Sequence, residues 1–249
     1  QLACLTLSNF VTTVACVDTS RGSGDDGAAT GGSATGGNDG VGGEGSESSP
    51  QAPEKFDCGK LDDRSEPIVL GYIPTWSNFD ATVQGLDYDA LTHVAVAFAN
   101  PTGPGDAVVV GDVDDAQVAT LVEKAHENGV QVLVSIAGAS HSEEVRAQLE
   151  ADKVDAFIAS IDALIDKHGF DGVDVDIEGG SVDETYEPFV TKLAAVVRPK
   201  GKVVTSAVGA WFADSISDRA LWCFDFLNIM SYDYTGSWSE PGDHASYAK

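Results

Sequence analysis

Three acidic residues spaced two apart, Asp174, Asp176 and Glu178, alternate with the β-branched apolar residues Val173, Val175 and Ile177. Strict alternation is the period of a β-strand and sends the two sets to opposite faces. The apolar set can pack beneath helices. The carboxylates then share one face, roughly 6–7 Å apart at about 3.3 Å rise per residue. The flanking segments read as a buried parallel sheet, so this acidic face points inward rather than to water. Carboxylates gathered there repel one another, and at least one takes a raised pKa. A carboxylic acid that stays protonated near neutral pH is what general-acid catalysis requires.

The elements that must position these acids follow from the surrounding pattern. Apolar strands are predicted at 68–73, 94–99, 130–136, 202–208 and 224–230, with the acidic strand between the third and the last two. Helical spacing runs over 114–128 (Val118, Leu121, Val122, Ala125) and 153–168 (Val154, Phe157, Ile158, Ile161, Leu164, Ile165), each stopped by a glycine, Gly129 or Gly169. A further helix is predicted at 184–198 and a short one at about 214–221. Strands alternating with helices imply a parallel α/β fold, and apolar strands fit a sheet covered on both sides. Acids at the C-terminal end of a strand suit a (β/α)8 TIM barrel, whose active site lies at that face.

The run Asp171-Gly172-Val173-Asp174-Val175-Asp176-Ile177-Glu178 resembles the Asp-Gly-x-Asp-x-Asp-x-Glu signature of glycoside hydrolase family 18, the chitinases and related endo-N-acetylglucosaminidases. A second match, Met230-Ser231-Tyr232-Asp233, resembles the family's Met-x-Tyr-Asp. The resemblance covers about residues 67–249 and implies the same barrel. The family barrel has eight strands and only six are legible, so the catalytic domain is expected to be incomplete at its C-terminus. An open six-stranded sheet is also expected to expose apolar surface.

Family 18 departs from the two-carboxylate scheme of most glycosidases. The resemblance implies a retaining hydrolysis of β-1,4 bonds in N-acetylglucosamine polymers, assisted by the substrate's own 2-acetamido group. Glu178 would act as acid and then base, Asp176 would orient the acetamide N–H, Asp174 would hold Asp176, and Tyr232 would donate to the acetamide carbonyl. Met230 and Asp233 would bind the same sugar, and Tyr72 and Phe98 sit where the family places aromatics beneath it. Trp76, Trp211 and Trp238 follow predicted strands and are candidates for stacking on sugar rings. Asp171, Gly172 and Phe170 are read as structural. Two features depart from the family. Ser135-Ile136-Ala137-Gly138 replaces Ser-x-Gly-Gly, and Gly179-Gly180 follows Glu178 where many chitinases carry a bulkier residue. Cleavage within N-glycan cores and a non-catalytic, sugar-binding lectin are the alternative functions.

Composition narrows the partners. Against 40 Asp and Glu stand 14 Lys and Arg, a formal net charge of −26. Such a field repels nucleic acid but is compatible with a neutral polysaccharide or glycan. None of the four cysteines has metal-ligand spacing and no His-x3-His pair occurs, so no metal or cofactor is expected. Cys58 and Cys223 either pair, if the chain is exported, or stay free. Residues 1–16 read as a partial secretory signal whose small residues before Cys16 resemble a bacterial lipoprotein cleavage site. Residues 17–66 are rich in Gly, Ser and acids and read as a disordered linker. The expectation is a secreted or surface-tethered monomer, with Cys16 as the candidate for lipidation.

Overall fold

The computed structural model describes residues 15–17, 58–59, 67–103, 105–237 and 239–245. The leader and linker expectations, the side chain of Cys16 and Trp238 fall outside them, apart from a short run of backbone at 15–17 and residues 58–59. That run, β1 (Ala15–Val17), pairs antiparallel with β2 (Ile68–Pro74) and lies beside the last strand. Then come β3 (His93–Pro101), β4 (Val108–Val110), β5 (Gln131–Ala137), β6 (Gly172–Asp176), β7 (Val203–Gly209) and β8 (Phe226–Met230). Strands β2, β3, β5, β6, β7 and β8 lie side by side in chain order, all parallel, as a curled part of a barrel. β4 folds back antiparallel on β3.

The six parallel strands agree with the sequence reading to within a few residues, because continuous Val, Ile and Ala runs leave little choice, whereas the three-residue β1 and β4 are too short to show a period. Between them lie α1 (Phe79–Gly85), α2 (Asp115–Glu127), α3 (Ser142–Arg146), α4 (Val154–His168), α5 (Tyr186–Val197) and α6 (Asp218–Trp222). Helix α2 starts with a capping box: Asp114 accepts the Gln117 N–H at 2.9 Å, and Gln117 accepts the Asp114 N–H at 3.0 Å. Helices α1 and α3 were not legible, since five to seven residues are too few to show a helical period. The helix expected at 214–221 divides into a single 3-10 turn, Ala213–Ser215, and α6.

Side chains pack in two layers. Outside the sheet, Val173, Val175 and Ile177 meet Leu193 and Phe189 of α5 and Ile161 of α4 in one large core. Inside, Leu70, Ala95, Leu133, Val203 and Phe226 form a smaller apolar plug. Gly172 permits that plug to close, because a Cβ there would run into the Val203 carbonyl. A disulfide joins Cys58 to Cys223, with Cα atoms 5.1 Å apart. Beside it the buried Arg198 donates to the carbonyls of Cys58 (2.7 Å) and Cys223 (2.6 Å) and pairs with Asp225 at 3.0 Å. On the outer side of β8, Ile229 is 43% exposed.

Candidate active site

Asp174 sits one level above the apolar plug, fully buried, at the centre of a polar layer. Strand register places Ser135 of β5 and Thr205 of β7 on either side of it. Ser135 donates to Oδ2 at 2.8 Å and Thr205 to Oδ1 at 2.6 Å. From farther round, the Tyr72 hydroxyl of β2 donates to Oδ2 at 2.9 Å and the Asn228 amide of β8 donates to Oδ1 at 3.1 Å. Each oxygen thus has two donors, from four different strands. Burial pushes this carboxyl up, and the four donors pull it back toward the ionised form they are arranged to receive.

Asp176 is the next inward residue, two positions along, and only 5% exposed. Its environment is the opposite of its neighbour's. Oδ1 is buried with no hydrogen-bond partner among the described residues. Burial first, then the charges of Asp174 and Glu178, drives its carboxyl well above the usual range. The strand ends here. Glu178 lies just beyond it, half-buried, ahead of a 3-10 turn at Gly179–Ser181, rather than on the strand as the alternation suggested. Its carboxyl is also raised, by burial and then by Asp233, against a main-chain hydrogen bond from Ala139. The three acids therefore step from a donor-rich interior to an open mouth.

A cavity of about 610 Å³ opens above them, and Asp176 and Glu178 form part of its wall. Met230, Tyr232 and Asp233 line it from the end of β8, and Phe98, Trp76 and Trp211 from the ends of β3, β2 and β7. The structure thus brings together eight of the residues singled out in the sequence. The indoles of Trp76 and Trp211 are 64% and 54% exposed, large apolar surfaces held at the rim. Trp76 stacks on Phe98 with centroids 5.8 Å apart, and Trp211 meets Phe212 edge-on. Tyr72 is placed differently from the expectation. It lies beneath the cavity as a donor to Asp174, not among the lining residues, because its hydroxyl has a buried carboxylate to meet. Asp171 is at the far end of β6, where it accepts the Val132 N–H at 2.8 Å and contacts His126.

Some participants were not foreseen. Thr205 and Asn228 interrupt otherwise apolar strands, and that interruption was the available signal. Asn100, at the end of β3, lines the cavity and bonds both main-chain groups of Ala137. Ala137, the departure from Ser-x-Gly-Gly, has a left-handed φ of 77°, a region that favours glycine. Gly179 and Gly180 face open space beside Glu178.

The family model described as Glycosyl hydrolases family 18 matches residues 68–248. A chitinase-like effector of Moniliophthora roreri is 27% identical over 188 residues, 69% of this chain and 46% of that protein. Probable chitinase 2 of Drosophila melanogaster is 26% identical over 203 residues, 70% of this chain and 41% of that protein. The chain therefore spans less than half the length of these curated relatives. Among solved structures, the chitinase ChiB from the chitin utilization locus of Flavobacterium johnsoniae superimposes with a TM-score of 0.64 at 30% identity, over 72% of this chain and 59% of that one. The Cycas revoluta chitinase in complex with (GlcNAc)3 gives a TM-score of 0.61 at 25% identity, over 71% and 58%.

Proposed function

Because the chain belongs to glycoside hydrolase family 18, we propose that it hydrolyses β-1,4 bonds in N-acetylglucosamine polymers, chitin in the simplest case, by a retaining, substrate-assisted route. The carrying observation is the gradation along one strand and just past it. Asp174 is saturated with donors, Asp176 is buried with an unpartnered oxygen, and Glu178 reaches the cavity with a raised carboxyl.

Glu178, protonated at the start, gives its proton to the glycosidic oxygen as the bond to the anomeric carbon breaks. The substrate's acetamido oxygen forms the new bond to that carbon, giving an oxazolinium ion. Asp176 accepts the acetamide N–H, which increases the nucleophilicity of its carbonyl. The Tyr232 hydroxyl holds that carbonyl in place. Glu178, now ionised, takes a proton from water, and the water oxygen opens the ring with net retention. Trp76 and Trp211 offer flat faces to sugars on either side. The Cys58–Cys223 disulfide supports action outside the cytosol, where such bonds persist.

Release of a chromophore from a chito-oligosaccharide, compared between wild type and Glu178→Gln, tests the reading. General-acid catalysis contributes about 10²–10⁴-fold, so the variant should lose at least that much. Equal rates would remove Glu178 from the role. Gly179 and Gly180 place no side chain beside Glu178, and a glycoprotein carrying N-glycans is the second substrate to try. Sugar binding without release from either substrate would replace the enzyme reading with a lectin.

A further inference from the structure

The turn between β5 and α3 is joined to the acid through main-chain groups. The Asp176 carbonyl accepts the Gly138 N–H at 2.9 Å, and the Ala139 N–H reaches the Glu178 carboxylate. One side chain completes the circuit. Ser142, the first residue of α3, is 4% exposed. Its hydroxyl donates to the Gly138 carbonyl at 3.0 Å and accepts the Glu178 N–H at 2.9 Å. A single oxygen thereby ties the main chain that carries the acid to the main chain that binds its carboxylate.

We propose that Ser142 is a positioning residue for Glu178, fixing through this bridge where the carboxyl stands relative to the Ala139 N–H. The inference rests on the reading of Glu178 as the acid. A hydrogen bond to a carboxylate favours its ionised form. Burial and Asp233 oppose that, so the bridge moderates how strongly the acid holds its proton. Asp176 of β6, Asp233 and Tyr232 beyond β8, and His141 of the turn share the cavity with Glu178.

Ser142→Ala, assayed across pH on the chromogenic chito-oligosaccharide, tests the bridge. Loss of orientation lowers kcat by about tenfold with KM little changed, well within the cost of a small misplacement. The limb at which activity falls with rising pH moves to higher pH, because the displaced carboxylate no longer meets the Ala139 N–H as well. A 13C NMR titration of the Glu178 carboxyl, assigned by its absence in Glu178→Gln, moves the same way. Ser142→Thr, which keeps the hydroxyl, lies nearer wild type in both readouts. If Ser142→Ala does not fold, Ser142→Cys, similar in size with a weak donor and acceptor, carries the same test. A pH profile and a titration that superimpose on wild type would overturn the proposal, whatever happens to stability. A folded wild type that releases no product would overturn the functional reading alone, and the titration would still decide on Ser142.

Discussion

Asn100 grips the main chain of Ala137 from both sides, donating to its carbonyl at 3.1 Å and accepting its N–H at 3.0 Å. Ala137 is fully buried at a φ of 77°, so nothing else readily replaces this pair of bonds. Asn100→Ala should cost about 1–3 kcal/mol by stranding buried polar groups. Ala137→Gly should be neutral or stabilising: the left-handed alanine costs about 1–2 kcal/mol, of which the looser unfolded chain cancels about 0.4–1. Urea unfolding measures both. A clear loss in Ala137→Gly would show that the methyl packs better than its backbone suggests.

Asp174 discriminates against its own amide. Both carboxylate oxygens receive two donors, Thr205 and Asn228 on one and Tyr72 and Ser135 on the other. Asp174→Asn must turn an NH2 toward one of those pairs whichever way it flips. The variant should lose about 3 kcal/mol, in the range for a broken buried charged network. A stability within about 0.5 kcal/mol of wild type, the usual surface range, would mean that the layer rearranges freely.

The sequence made the central acids and the six strands legible because both depend on short periods of strong residue types. It did not disclose the ring of donors around Asp174. Ser135, Thr205 and Asn228 are ordinary polar residues, and only the register of distant strands turns them toward one carboxylate. The partner of Tyr72 was hidden for the same reason: an aromatic on this strand suits a sugar floor or a buried bond, and only the fold brings Asp174 to its hydroxyl. Ala137 was recognisable as a departure, but its conformation and the Asn100 grip depend on the fold. Glu178 was legible by spacing, though it stands past the strand end rather than on it.

Trp76 and Trp211 test the cavity without disturbing the barrel. Both are mostly exposed, so Trp76→Ala and Trp211→Ala should shift stability by less than about 0.5 kcal/mol. Loss of a stacked ring should weaken oligosaccharide affinity by about tenfold, the equivalent of about 1.4 kcal/mol. Calorimetric titration with a chitin oligomer on the inactive Glu178→Gln background reads this directly. Unchanged affinity in both variants would place the sugar path elsewhere.

Arg198 should resist a conservative exchange. Its guanidinium serves the carbonyls of Cys58 and Cys223 and the buried carboxylate of Asp225 together. An ammonium is a point donor and cannot span these directions as a planar fork does. Arg198→Lys should therefore destabilise measurably, and Arg198→Leu by about 3–5 kcal/mol through the charge left on Asp225. Thermal unfolding of the oxidised protein gives the comparison. Equal stability of wild type and Arg198→Leu would show that the Asp225 carboxylate is not confined by its partner.

Asp176 should make stability depend on pH in a direction that identifies its cause. Its folded-state pKa is raised by burial and by the charges of Asp174 and Glu178, above an ordinary value of 3.8. Below 3.8 the group is protonated in both folded and unfolded chains, and its favourable contribution is complete. As pH rises from there through the folded-state pKa, the unfolded chain releases the proton more readily, and that contribution is lost. Asp176→Asn cannot lose a proton. The variant should therefore be more stable than wild type near neutral pH, by a margin that shrinks on acidification and levels off below 3.8. Its activity should fall, since the amide cannot accept the acetamide N–H with a negative oxygen as the reaction proceeds. Denaturant unfolding of both proteins from pH 3 to pH 8 (roughly the window linkage makes informative) measures the margin. A difference that stays constant with pH would mean that Asp176 titrates normally, and the role assigned to its unpartnered oxygen would go with it.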